Sequence, residues 1–127
     1  MSRGVAVLCR KLVHPKNGDE RIRQILRAIA ADPSRDIAAL AQTLNLSSSR
    51  LSHLFKLETS CSLHAYLVDC RLETAALVLR TSETSVKEIS YNVGYKHPPS
   101  FVRAFRNKFG CSPGEYRAQQ HILRMCS

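Results

Sequence analysis

The chain of 127 residues is predicted to be all-α, with about seven helices arranged as two similar units joined by one long helix. Three observations predict this. Apolar residues recur at three- and four-residue spacing along most of the sequence and do not alternate as in a half-buried strand. Caps and stops bracket each such stretch. The pattern of the first half returns in the second, shifted by about 50 residues.

Residues 1–18 show no helical period. They carry Arg3, Arg10, Lys11 and Lys16, with Pro15 and Gly18 near the end, and read as a basic, flexible N-terminal arm. The first unit, 19–62, begins at Asp19, which can cap a helix whose inner face is Ile22, Ile25, Leu26 and Ile29. Asp32-Pro33 stops that helix. Ile37, Leu40, Ala41 and Leu44 mark a short second helix, and Asn45 after it tolerates the left-handed turn conformation. Ser47 then caps a third helix facing inward with Leu51, Leu54 and Phe55. Two short helices across a tight turn form a helix-turn-helix.

The segment 63–80 holds Leu63, Tyr66, Leu67, Cys70 and Leu77 without Gly or Pro, so it reads as one linker helix. From Leu63 to Leu79 it has ~17 residues and a length of ~25 Å. The second unit, 81–127, starts with Ser85 and Glu88 at capping-box spacing. Ile89 and Val93 are the apolar face of its short helix, and Gly94 is the turn. Pro98 opens the next helix, with Phe101, Phe105 and Phe109 inward and Gly110 as its stop. Ser112-Pro113 with Glu115 launches a last helix toward Leu123.

The two units match in detail. At a shift of 49, Leu40, Ala41, Leu44, Asn45 and Leu46 fall on Ile89, Ser90, Val93, Gly94 and Tyr95. At a shift of 50, Leu51, Phe55 and Lys56 fall on Phe101, Phe105 and Arg106, and Ser60, Cys61, Ser62 and Tyr66 on Gly110, Cys111, Ser112 and Tyr116. Turn residue, helix stop and following cap all recur, which chance periodicity does not produce. A joining helix of that length suits two outward helices about 34 Å apart, the pitch of a DNA duplex.

Charge points the same way. Nineteen Lys and Arg face ten Asp and Glu, a formal net charge of +9, and such a surplus in a small domain implies a polyanionic partner. Nucleic acid and anionic membrane are the two candidates; no run of ~18 apolar residues exists, so nothing in the chain spans a bilayer, and no membrane partner is expected. Gly4 to Cys9 is too short for a signal-peptide core, so a cytoplasmic protein is expected. The five cysteines, Cys9, Cys61, Cys70, Cys111 and Cys126, are odd in number and form no C-x-x-C pair. They read as reduced and mostly buried, with no disulfide framework, metal site or cofactor. No nucleophile is placed with a base and an orienting group, so an enzyme is not expected.

The segment Val86 to Arg117, VKEISYNVGYKHPPSFVRAFRNKFGCSPGEYR, resembles the signature of the AraC/XylS family of bacterial transcription regulators. The helix and turn, the x-F-x-R-x-F-[KR] recognition helix and the F-G-x-[ST]-P-x-x-[YF]-R tail appear in order. IAALAQTLNLSSSRLSHLFKLETSCS is similar to the family's first helix-turn-helix, and YLVDCRLETAALVL to its linker helix. The resemblance covers about residues 20–120. It implies two homeodomain-like units that bind double-stranded promoter DNA and regulate transcription, more often activating it, with RNA polymerase as a further partner. It also implies a nucleoid-associated location, and an effector or dimerisation domain that this chain does not contain. The other reading is a basic helical module that docks an acidic protein.

Outward residues of each recognition helix are the candidates for DNA contact. In the first unit these include Ser49, Arg50, Ser52 and His53, of which the resemblance places Ser49, Ser52 and His53 at base-reading positions. Serines discriminate poorly between bases, so Arg50 and His53 are the better readers. In the second unit Pro98, Pro99, Ser100 and Arg103 face outward. Arg103 lies at a family base-contact position, where its guanidinium can fork onto O6 and N7 of guanine. Lys56, Lys96, His97 and Arg106 are candidate phosphate contacts. Arg71, in the linker helix, is expected to be structural and paired with a carboxylate.

Departures from the family pattern carry their own expectations. Ser60 stands where Gly is frequent, at a left-handed stop that costs a residue with a side chain roughly 1 kcal/mol. The Ser90 hydroxyl needs a carbonyl one turn back. Pro98-Pro99 fit because both lie in a first turn, where a missing N–H costs little.

Overall fold

A computed structural model describes residues 13–126, the last of these for its backbone alone. Arg3, Cys9, Arg10 and Lys11, and with them most of the expected arm, lie outside the described residues. So does the side chain of Cys126. Among the described residues there are seven helices and no strand: α1 (Glu20–Ala31), α2 (Ile37–Gln42), α3 (Ser48–Thr59), α4 (Leu63–Thr81), α5 (Val86–Asn92), α6 (Pro98–Phe109) and α7 (Pro113–Cys126). None of them is long and apolar enough to cross a membrane. Two compact units form, the first ending at Arg71 and the second starting at Leu72, so α4 contributes to both.

Local chemistry accounts for the helix boundaries. The Asp19 carboxylate accepts the Arg21 N–H at 2.9 Å, and the guanidinium of Arg21 holds that carboxyl below its ordinary range. Asp36, which the hydrophobic pattern did not single out, caps α2 through the Ala39 N–H at 2.8 Å. Ser47 and Ser85 cap α3 and α5 through Arg50 and Glu88, each at 3.1 Å. Ser112 and Glu115 form a reciprocal box: the Glu115 N–H donates to the serine hydroxyl at 3.1 Å, and the Ser112 N–H to the carboxylate at 2.9 Å. The joining helix α4 runs 19 residues, about 28 Å, one turn's fraction longer than its apolar pattern indicated.

The core of the first unit gathers Ile22, Ile25 and Ile29 of α1, Leu40 and Ala41 of α2, Leu51 and Phe55 of α3, and Leu63, Leu67 and Cys70 of α4. Leu26 and Leu54 pack against it while remaining partly exposed. Arg71 is held as a structural residue through main-chain oxygens: it donates to the carbonyls of Pro33 at 2.8 Å and Arg35 at 3.0 Å. It thereby braces the turn between α1 and α2. The last residues of the N-terminal segment are tied down by Glu58, a buried carboxylate in the last turn of α3. It accepts the Asn17 backbone N–H at 3.1 Å and side-chain N–H at 3.0 Å, while its carbonyl accepts the Lys16 N–H at 2.7 Å. A buried carboxylate needs such donors.

In the second unit an aromatic stack fills the centre. Phe105 is fully buried and has the rings of Phe101, Phe109 and Tyr116 at 5.8, 4.4 and 5.4 Å. Ser90 is fully buried, and its hydroxyl donates to the Lys87 carbonyl at 2.7 Å, the back-bond its position required. Arg117 spans the turn between α4 and α5, donating to the carbonyls of Leu79 at 3.1 Å and Thr84 at 2.7 Å. The cysteines are more exposed than expected: Cys70 is buried, but Cys61 and Cys111 are half-buried, because both sit in the exits that follow α3 and α6.

The internal repeat holds at the level of single hydrogen bonds. Leu46 donates to the Ala41 carbonyl at 3.0 Å as Tyr95 does to Ser90 at 2.9 Å; Asn45 donates to Gln42 and Gly94 to Tyr91, both at 3.1 Å. Asn45 and Gly94 have φ of 57° and 105°, and the helix stops Ser60 and Gly110 have φ of 65° and 81°. Ser60 therefore adopts the left-handed conformation its place in the pattern demands. Replacing Ser60 with Gly is expected to raise stability by about 1 kcal/mol. An unchanged or lower denaturation midpoint would show that the serine is not strained there.

Candidate nucleic-acid interface

Each unit presents to solvent one face of the helix that follows its tight turn, α3 or α6, because the opposite face is built into the core. In α3, burial of Leu51 and Phe55 turns Ser49, Arg50, His53 and Lys56 outward, and leaves Ser52 half-buried at the edge. Arg50 and His53 also line a shallow cleft of about 420 Å3 with Arg21, Leu46, Leu54 and Leu57. Leu57, at 57% exposure, is an apolar member of this face that the core pattern did not identify. Arg21 is already engaged with the Asp19 carboxylate at 3.0 Å.

In α6, burial of Phe101 and Phe105 leaves Pro99, Ser100, Arg103 and Arg106 exposed, with Lys96 and His97 exposed just before the helix and Pro98 half-buried. Val102 and Asn107, which sequence reasoning passed over, join Pro98, Pro99, Arg103 and Arg106 around a concave patch of about 460 Å3. Spacing explains the grouping: residues three and four apart on a helix are neighbours on its surface.

The cations divide by use. Residues 96–117 carry Lys96, Arg103, Arg106, Lys108 and Arg117 against Glu115 alone. Two of the five serve the unit itself: Arg117 braces the α4–α5 turn, and Lys108 pairs with Glu73 at 3.5 Å. Among the described residues no hydrogen bond or ion pair engages the side chains of Lys96 and Arg103, nor those of Arg50, His53 and Lys56 in the first unit. An outward cation without an internal partner is what a phosphate or a base edge can recruit. No group of three or more His, Cys, Asp or Glu able to hold a metal ion occurs among the described residues.

Comparison with known proteins places this geometry. A family model described as a helix-turn-helix domain matches residues 40–119. The arabinose operon regulatory protein of Escherichia coli K12 is 38% identical over 109 residues, covering 84% of this chain and 37% of the relative. The chain thus spans little more than a third of the length of that curated relative. The C-terminal domain of AraT, a response regulator from Geobacillus stearothermophilus, superposes with a TM-score of 0.71 at 30% identity, over 80% of this chain and 86% of that one. The DNA-binding domain of AdpA, a global transcriptional factor solved in complex with a target DNA, superposes with a TM-score of 0.73 at 25% identity, over 84% of this chain and 98% of that one.

Proposed function

Because the chain belongs to the AraC/XylS family of helix-turn-helix proteins, we propose that it binds double-stranded promoter DNA in a sequence-specific manner and regulates transcription there, as an activator. One observation carries the reading: two units whose turns repeat the same backbone hydrogen bonds, each followed by an outward, cationic helix. In this reading α3 and α6 enter successive major grooves of one duplex, so a single chain does what most helix-turn-helix proteins do as dimers.

Ser49, Arg50, Ser52 and His53 read bases from α3, and Pro98, Pro99, Ser100 and Arg103 from α6. Lys56, Lys96, His97 and Arg106 hold phosphates and set the register. The protein works in the cytoplasm at the nucleoid and contacts RNA polymerase.

Selection of pooled random duplexes followed by sequencing tests the reading. The expected result is a motif of two half-sites about 10 base pairs apart. No enrichment would overturn it in favour of a module that docks an acidic protein.

Arg103 is the strongest single reader. Arg103→Ala is expected to weaken binding by ~1–3 kcal/mol and to relax preference at one or two base pairs of the second half-site. Equal weakening on every sequence, measured across single-base variants of the selected duplex, would reassign Arg103 to a phosphate.

A further inference from the structure

The start of α6 differs chemically from an ordinary helix start. A helix normally exposes N–H donors in its first turn, which suits it to phosphates and to base acceptors. Here the first two helical positions are Pro98 and Pro99, which have no N–H. The N–H of Ser100 donates back to the His97 carbonyl at 2.9 Å. The surface that leads into the patch is therefore poor in backbone donors.

The side chains continue the theme. Pro98, Pro99 and Val102 form an apolar shelf on the concave patch of α6, with Arg103 and Arg106 at its cationic side. Val102 lies four residues from Pro98 and three from Pro99, so all three share one surface. Arg103 lies four residues from Pro99, and its side chain leans toward the helix N-terminus and along that shelf.

The 5-methyl group of thymine is the apolar feature that a base pair offers in the major groove. We propose that Pro98, Pro99 and Val102 form a thymine-methyl reader, so that the second unit selects thymine beside the guanine held by Arg103. The inference rests on the DNA-binding reading above and adds a specificity determinant, Val102, together with the chemical class of base it takes. The cationic edge of the same patch keeps the shelf against the phosphate-lined groove, which commits it to DNA and not to an apolar peptide.

The test uses the duplex recovered from pooled selection. Each thymine of the second half-site is replaced in turn by deoxyuridine, which removes the methyl and leaves pairing intact. One or two replacements are expected to weaken binding roughly fourfold each, the value of one buried methyl. In the Val102→Ala protein, and separately in Pro99→Ala, the penalty at one of these positions is expected to shrink toward unity. Both sites are at least partly exposed, and alanine is accepted in a helix, so both variants should keep the parent melting temperature.

Three outcomes overturn the proposal. If binding keeps its guanine preference while every deoxyuridine is neutral, the methyl reader fails and the DNA-binding reading stands. If the deoxyuridine penalty persists undiminished in both variants, other residues take the methyl. If no duplex is selected at all, both readings fail together.

Discussion

Binding to the selected duplex is expected to fall roughly 1000-fold between 50 and 200 mM salt, a log-log slope of about −5 or steeper. The cause is counterion release. Each phosphate neutralised by a cation frees a condensed ion, and the gain vanishes as bulk salt rises. A slope of that size corresponds to about six phosphate contacts, which a chain of formal charge +9 can supply. Lys56, Lys96 and Arg106 are exposed, and the proposed reading assigns them three of these contacts. Lys108 and Arg117 are excluded from the tally by their internal bonds. Fluorescence anisotropy across a salt series measures the slope. A value near zero would remove electrostatics, and with it the proposed role of these cations.

Phe105→Ala is expected to destabilise the protein by ~3–5 kcal/mol, the largest effect of any single substitution considered. The side chain is fully buried and touches three other rings, so its loss removes both apolar burial and ring–ring attraction. Single domains are stable by ~5–15 kcal/mol, so the second unit would be near its limit at ambient temperature. Chemical denaturation followed by circular dichroism measures the change. A consequence follows for DNA: α6 is held by Phe101 and Phe105, so the variant should lose the second half-site before the first. A loss of stability below 1 kcal/mol would show that the aromatic stack is dispensable.

The helices were legible because their signals are local. Ser47, Ser85, Ser112, Asn45, Gly94 and Gly110 act within three or four residues of their own positions, and they stand where the boundaries fall. The strain at Ser60 was legible for the same reason. That Arg103 faces outward was legible because its neighbours Phe101 and Phe105 must face inward; the family resemblance, not the spacing, singled it out among the outward residues. Leu57, which is exposed, and Val102, which is half-buried, were missed because periodicity marks what is fully buried, and an apolar residue off the core looks like noise.

Long-range bonds were beyond such reasoning. Arg71 could be read as structural but not its carbonyl partners, and Arg117 looks like one more cation in a basic chain, yet each reaches more than 30 residues back to main-chain carbonyls. Asn17 and Glu58 are 41 residues apart, and nothing in the composition near either one announces the other.

By itself the amino-acid order determined the helices, their caps and stops, the tandem repeat and the outward faces, because each depends on neighbours within one or two helical turns. Only the tertiary structure decided which charges are spent inside the fold and which remain for a partner. That division depends on where distant backbone carbonyls and carboxylates come to rest, a property of packing in space and not of spacing along the chain.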